Sequence, residues 1–145
     1  MNEQPHAEKP VLACTGLARS FREGGLDVTV LRRVDLAVRA GQQIAIVGSS
    51  GSGKSTLLSL IAGVVTPQKG TITINDRLVS ELNGADRDRF RADHIGFIYQ
   101  MFNLIPYLSV VENVTLPCRF SLRRREKAAA RSSSFEAEAI RLLKS

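Results

Sequence analysis

The sequence predicts an α/β fold, and three features in a row predict it. A short, nearly all-apolar run, Gln43-Ile44-Ala45-Ile46-Val47, suits a parallel strand covered on both faces. A glycine- and serine-rich loop, Gly48-Ser49-Ser50-Gly51-Ser52-Gly53-Lys54-Ser55, comes directly after it. A helix leaves the loop at Lys54 and runs to about Ala62, with Leu57, Leu58 and Ile61 at helical spacing.

Upstream of these, Val11 to Phe21 alternates weakly, as a strand does, and Gly24-Gly25 marks a turn. Val28 to Val38 holds one or two further strands, with Val30, Val34, Leu36 and Val38 spaced for one face. Beyond the helix, Gly63 is placed for a C′ stop, and Pro67 prevents resumption. Gly70 to Asn75 alternates as a strand with one polar side, and Asn83 to Arg91 suits a short surface helix. Ile95 to Tyr99 is a second apolar strand ending at Gln100. Ser109 and Glu112 make a capping box that starts a helix. Ser133 and Glu136 offer another, opening a helix through Ala137, Ile140 and Leu143. No internal repeat is present.

Composition narrows the function classes. The 145 residues are one domain's worth, and 43% of them are hydrophobic, enough for a buried core. A membrane-spanning helix needs about 20 mostly apolar residues in a row, and none occurs. Met1 to Pro10 is polar and lacks the apolar core of a secretory signal. Cys14 and Cys118 are far apart and have neither metal nor redox spacing, so both read as small core or surface residues in a reducing cytosol. The net charge of +6 is local: Arg119, Arg123, Arg124, Arg125, Lys127 and Arg131, opposed by Glu126, carry +5 of it. A nucleic-acid-binding surface spreads its cations more widely, so no nucleic-acid partner is expected. The basic segment is a solvated face or a contact for anionic headgroups or an acidic partner.

The loop carries the chemistry. Gly48 through Ser55 fits G-x-x-x-x-G-K-[S/T], between an apolar strand and a helix, the context that gives this pattern its meaning. Gly48, Gly51 and Gly53 let the backbone wrap a phosphate without Cβ clashes. The intervening Ser49, Ser50 and Ser52 contribute N–H groups to an anion nest. The helix adds its free N-terminal N–H groups and positive dipole end. Lys54 supplies a cation for β- and γ-phosphates, the Ser55 hydroxyl can ligate Mg²⁺, and Thr56 can donate to an α-phosphate. The expected ligand is a nucleoside triphosphate with Mg²⁺.

Two longer stretches resemble one family. "VLRRVDLAVRAGQQIAIVGSSGSGKSTLLSLIAGVVTPQKGTITIN" looks like the start of an ATP-binding subunit of an ABC transporter. "IGFIYQMFNLIPYLSVVENVTLP" resembles that family's Q-loop and the segment after it. The runs "IVGSSGSGKSTLL" and "GFIYQ…NLIP…ENV…P" are most similar to the branch that powers lipoprotein release and macrolide or peptide export. The resemblance implies a P-loop NTPase core with an N-terminal antiparallel β subdomain. It implies a polar tail at 1–10, the N-terminal part of the ATPase domain at 11–117, and the start of a helical subdomain at 118–145.

The resemblance also implies roles. Phe21 matches the aromatic that stacks on adenine, usually Tyr, which makes the nucleotide ATP. Gln100 matches the Q-loop glutamine, whose amide reaches Mg²⁺ and the attacking water, so Lys54 and Gln100 are the candidate catalytic residues. Met101 to Asn113, with Phe102, Leu104, Ile105, Tyr107 and Leu108, matches the groove that receives a membrane subunit's coupling helix. A second ATPase subunit as homodimer partner and a place on the cytoplasmic, inner face of the membrane are implied as well. The family's signature loop (L-S-G-G-Q), its strand ending in Asp-Glu and its switch histidine are not among the 145 residues. His6 and His94 match no such position. The sequence therefore reads as cut before the signature loop and Walker B strand. The 145 residues alone are expected neither to hydrolyse ATP nor to fold stably, and an ATP-binding remnant without turnover is the alternative reading. Other P-loop classes fit less well. Asp93-His94-Ile95-Gly96 matches D-x-x-G, but no N-K-x-D guanine motif accompanies it. No coiled coil of a DNA-repair ATPase comes after Gln100; Pro106 and Pro117 do.

Overall fold

The computed structural model describes residues 9–101 and 103–145, the Glu23 side chain apart. They form two compact units, one up to Asn83 and one from Gly84.

The first unit is a sheet with one helix. Its elements are β1 (Leu12–Glu23), β2 (Leu26–Val38), α1 (Lys54–Ile61), β3 (Lys69–Ile74) and β4 (Arg77–Leu78). All strand pairs are antiparallel, in the order β2-β1-β3-β4. This is the antiparallel β subdomain that the family resemblance implies. Val28 to Val38 belongs to one strand, not two, and that strand begins at Leu26. The weak alternation of β1 has a cause: its register slips between Cys14 and Leu17, again to Ala18, and between Arg19 and Ser20. The first slip, three residues of β1 against two of β2, puts an extra residue in β1 and moves its later side chains to the other face; the other two put the extra residue in β2. β4 is too short to leave a sequence signal. Its partner residues Ile74 and Arg77 close a two-residue turn in which Asn75 and Asp76 take φ of 47° and 64°. Asn and Asp are the non-glycine residues that accept this conformation most readily.

Cys14, Leu17, Leu31, Leu57, Leu60 and Ile72 form the buried core of this unit, with Val30, Val34, Leu36 and Ile46 packed against it. Burial pushes the Cys14 thiol up to about 11, which suits an inert packing residue. α1 buries Leu57 and Leu60, while Leu58 stays exposed. The buried stripe is thus rotated from the expected Leu57-Leu58-Ile61 face toward a 57/60 ridge. The stop at Gly63 is as expected. Its φ is 69°, its N–H donates to Leu60 O at 3.0 Å, and Val64 N–H donates to Ser59 O at 2.9 Å. Those two bonds are the paired closure of a Schellman motif.

Two expected strands are not strands. Neither Gln43–Val47 nor Ile95–Tyr99 carries a ladder among the described residues. An extended apolar segment becomes a strand only when a neighbour takes up its N–H and C=O groups. Without one, Val47 is 87% and Ile98 97% exposed.

The second unit is helical: α2 (Gly84–His94), α3 (Val110–Phe120), α4 (Leu122–Ala129) and α5 (Phe135–Leu143). The Ser109 capping box forms, with Glu112 N–H donating to Ser109 Oγ at 3.3 Å and Ser109 N–H donating to Glu112 Oε2 at 2.8 Å. Hydrogen bonds from Ser109 hold the Glu112 carboxyl below its ordinary range. α3 continues through Pro117, and the basic segment after it is helical. α5 is capped by Ser134, not Ser133, through a bond from Ala137 N–H at 3.1 Å. Its buried residues are Glu138 and Ala139, while Ile140 and Leu143 are exposed. Glu138 accepts from Arg141 at 2.7 and 2.8 Å and from Ser132 at 2.9 Å. The Arg141 bonds chiefly, with Ser132, bring its carboxyl down to about 2. The expected apolar face of this helix is therefore replaced by a buried carboxylate with its own partners.

Candidate functional site

The phosphate-loop residues fold as a turn that ends in a helix start. Gly53 is the N-cap of α1, in the left-handed region at φ 88°, and no side chain caps the helix. No acidic residue sits in the first turn. The first N–H groups and the positive end of the helix are thus left for an external anion. The loop rests on β2 at this point: a Cβ on Gly53 would stand 2.9 Å from Leu31 Cδ2 and 3.0 Å from Val30 O. Both the conformation and the space require glycine there.

Lys54 closes the loop on itself. Its ammonium donates to Gly48 O at 2.9 Å, Ser49 O at 2.6 Å and Ser52 Oγ at 3.3 Å. The cation therefore lies against the loop's own backbone. A cavity of about 310 Å³ is lined by Phe21, Val30, Gly51, Ser52, Gly53, Lys54, Ser55 and Thr56. The structure thus brings an aromatic from β1, more than twenty residues upstream, to the same cavity as the second half of the loop. Phe21 is 39% exposed, so it is no core ring. The Arg19 guanidinium lies 5.0 Å from the ring centroid, and its Nη1 donates to Thr66 O at 2.9 Å. Gly48 and Ser49 contribute through the Lys54 bonds, and Ser50 is exposed.

Gln100 belongs to the second unit and is exposed there. In the stretch after it, Met101, Leu104 and Tyr107 are 76%, 67% and 84% exposed, while Ile105 and Leu108 are half-buried. Phe102 lies outside the described residues. The side chain that shapes this loop has no motif of its own in the sequence. Asn113 Oδ1 accepts from Ile105 N–H at 2.8 Å, and Asn113 Nδ2 donates to the carbonyls of Ile105, Leu108 and Ser109, each at 3.1 Å. The available signal was an asparagine one residue past the capping box, where it can reach back over the turn. A larger cavity of about 610 Å³ in the second unit, lined by Ile95, Phe97, Tyr99 and Phe120 among others, contains none of the loop residues. Among the described residues, no three His, Cys, Asp or Glu side chains are grouped to hold a metal ion. A cation at the loop would need oxygen from Ser55 and from the nucleotide itself, the mode that suits Mg²⁺.

A family model described as ABC transporter matches residues 31–144. The chain belongs to the ABC transporter family. Among the relatives is the lipoprotein-releasing system ATP-binding protein LolD of Chromohalobacter salexigens. It is 45% identical over 122 residues, which are 84% of this chain and 52% of the relative. The macrolide export ATP-binding/permease protein MacB of Burkholderia pseudomallei is 42% identical, over 83% of this chain and 19% of its own length. The dimeric ATP-binding cassette MJ0796, solved bound to ADP and Pi, superposes with a TM-score of 0.72 at 35% identity. That match covers 75% of this chain and 47% of the cassette. The chain spans about half the length of LolD and of this cassette. The lipoprotein-release and macrolide-export resemblance read from the motifs is the one these relatives carry. ABC ATPases bind ATP, typically with Mg²⁺, and the fold here is the N-terminal part of their P-loop domain.

Proposed function

We propose that this chain binds MgATP between Phe21 and the loop Gly48 to Thr56, as the ATP-binding portion of an exporter's ATPase. The cavity that joins Phe21 to Gly51–Thr56 carries the proposal. In this reading the loop and the uncapped start of α1 hold the phosphates. Lys54 turns from its loop carbonyls to the β- and γ-phosphates. Ser55 gives an oxygen to Mg²⁺, Thr56 donates to the α-phosphate, and Phe21 stacks on adenine. The Q-loop resemblance assigns Gln100, in the second unit, a role toward Mg²⁺ and the attacking water in the family's ATPases. Bound MgATP supplies the phosphoryl group whose hydrolysis drives transport in this family.

Stacking makes a measurable prediction. Phe21→Ala weakens ATP binding by about 0.5–1.5 kcal/mol, the usual worth of an aromatic pair beyond area burial. Titration with a fluorescent ATP analogue reads this directly. Unchanged affinity removes Phe21 from the site.

The exposed Met101, Leu104 and Tyr107 support the stretch Met101 to Asn113 as the docking surface for a membrane-spanning subunit, with Asn113 fixing its shape. LolD and MacB are named for lipoprotein release and macrolide export, and we place this chain in the same kind of assembly, on the cytoplasmic face of a membrane. The cassette MJ0796 is dimeric, which supports a second ATPase subunit as partner. Leu104→Glu is expected to abolish pull-down by the membrane subunit while leaving ATP affinity unchanged. Undiminished pull-down contradicts the docking assignment.

The 145 residues themselves are expected to bind ATP without turning it over. Hydrolysis needs an oriented water, a carboxylate to orient or activate it, and a held metal. The phosphate loop provides part of the metal site and no carboxylate; Glu112 is committed to its capping box. Phosphate release from the chain with MgATP should stay at background. Steady release that depends on Lys54 would overturn this point.

A further inference from the structure

The part of β1 that leads into Phe21 is held by the segment 66–68, which joins α1 to β3. Ala18 O accepts from Gln68 N–H at 3.1 Å, and Ser20 N–H donates to Gln68 Oε1 at 2.6 Å. Between them, Arg19 Nη1 donates to Thr66 O at 2.9 Å. These bonds fall where the β1–β2 register slips, between Leu17 and Ala18 and between Arg19 and Ser20. The regular ladder is interrupted there, so bonds from outside it help to fix the strand. Thr66 precedes Pro67, which narrows its backbone to extended conformations and so narrows where its carbonyl points. Anchored on that carbonyl, the Arg19 guanidinium lies 5.0 Å from the Phe21 ring centroid, within cation–π range. Arg19 Nε is buried and has no hydrogen-bond partner among the described residues, which leaves the electron-rich ring face to compensate the guanidinium. Phe21 lines the cavity at the phosphate loop, and Arg19 does not.

We propose that Arg19 is a positioning residue for the base: its guanidinium, tied to Thr66 O, sets the plane of the Phe21 ring before the nucleotide arrives. The inference rests on the reading of this cavity as the MgATP site and adds the group that preorganises its aromatic. Phe21 is exposed, and χ2 of a phenylalanine is a broad torsion. An exposed ring with no neighbour would turn, and fixing it on stacking would cost affinity. A cation held over the ring removes that freedom in advance. Arginine suits the task better than lysine, because its planar fork can donate to a carbonyl while lying against an aromatic. Arg19 lines no part of the cavity, so it acts on the base through Phe21 and not by contact with the phosphates.

The test compares MgATP with inorganic tripolyphosphate, which has the phosphates and no base, on the full chain. Arg19→Gln keeps a side-chain N–H donor for Thr66 O and removes the cation. It should weaken MgATP by about two- to fivefold, the scale of an exposed cation–π contact, and leave tripolyphosphate affinity unchanged. In a Phe21→Ala background the same substitution should have no further effect on MgATP, because the ring through which Arg19 acts is gone. Equal loss for MgATP and tripolyphosphate overturns the proposal, since Arg19 would then act on the phosphates or on the fold. So does an undiminished effect of Arg19→Gln without the ring, or full MgATP affinity in Arg19→Gln when Phe21→Ala alone is weakened; that last result spares the reading of the site. No MgATP binding by the unaltered chain, or full affinity in Phe21→Ala, overturns the site and this role together. Should Arg19→Gln fail to fold, spectra of the unaltered chain decide. MgATP should move the Arg19 Nε–H and Phe21 resonances, and tripolyphosphate should leave both in place; the same shifts with both ligands overturn the proposal.

Discussion

Lys54→Ala is expected to weaken MgATP binding by about ten- to a hundredfold. The lysine makes three hydrogen bonds to its own loop, to Gly48 O, Ser49 O and Ser52 Oγ. Its ammonium is therefore held within a few ångströms of the cavity without being buried or neutralised by a carboxylate. Exchanging those carbonyls for phosphate oxygens turns ordinary acceptors into charged ones. A hydrogen bond to a charged partner is worth about 1.5–3 kcal/mol, and each 1.4 kcal/mol is tenfold in affinity. A smaller, secondary effect is expected on the loop itself, because three backbone and hydroxyl acceptors lose their donor. Titration with a fluorescent ATP analogue separates the two, since circular dichroism reports the fold. Equal affinity for both proteins would contradict the assignment of the loop.

Gly53→Ala is expected to cost both stability and binding. The new Cβ would meet Leu31 Cδ2 at 2.9 Å and Val30 O at 3.0 Å, in a backbone conformation of φ 88°. The side-chain contact can yield by a rotamer change; the backbone oxygen cannot. Holding a non-glycine residue in such a region costs about 1–3 kcal/mol. That is a large share of the roughly 5–15 kcal/mol that holds a domain together. Relief would come from moving the start of α1 away from β2, which would also splay the N–H groups aimed at the phosphates. A urea midpoint lowered together with lost ATP binding is the expected result. A normal midpoint with normal binding would show that the loop does not depend on this contact.

What the sequence revealed and what it hid divide along a physical line. Features written into a few consecutive residues are legible: the helix start at Lys54, the Schellman stop at Gly63 and the Ser109 capping box. Each is local backbone chemistry that needs only its neighbours. The cap of α5 was misplaced by one residue because Ser132, Ser133 and Ser134 can all accept an N–H, and tertiary contacts choose among them. Glu138 was missed as a buried residue because its partners, Arg141 and Ser132, are what permit the burial. Gln43–Val47 and Ile95–Tyr99 have the composition of inner strands, but a strand is a property of a pair, and no ladder partner meets either segment among the described residues. Phe21 was linked to the loop only by family resemblance. The irregular register of β1 leaves only a weak alternation behind, and nothing in the spacing of Phe21 marks the cavity that it lines. Asn113 is silent in the sequence because a loop-bracing asparagine and a solvated one look alike there.

Placement of ATP between Phe21 and the phosphate loop is tested most directly by amide nitrogen–proton spectra of the chain, recorded as MgATP is added. Saturable shifts are expected, concentrated at Gly48 to Thr56 and at Phe21 and Val30. Shifts confined to Ile95, Phe97, Tyr99 and Phe120, which line the larger cavity of the second unit, would contradict that placement, as would no shift at all.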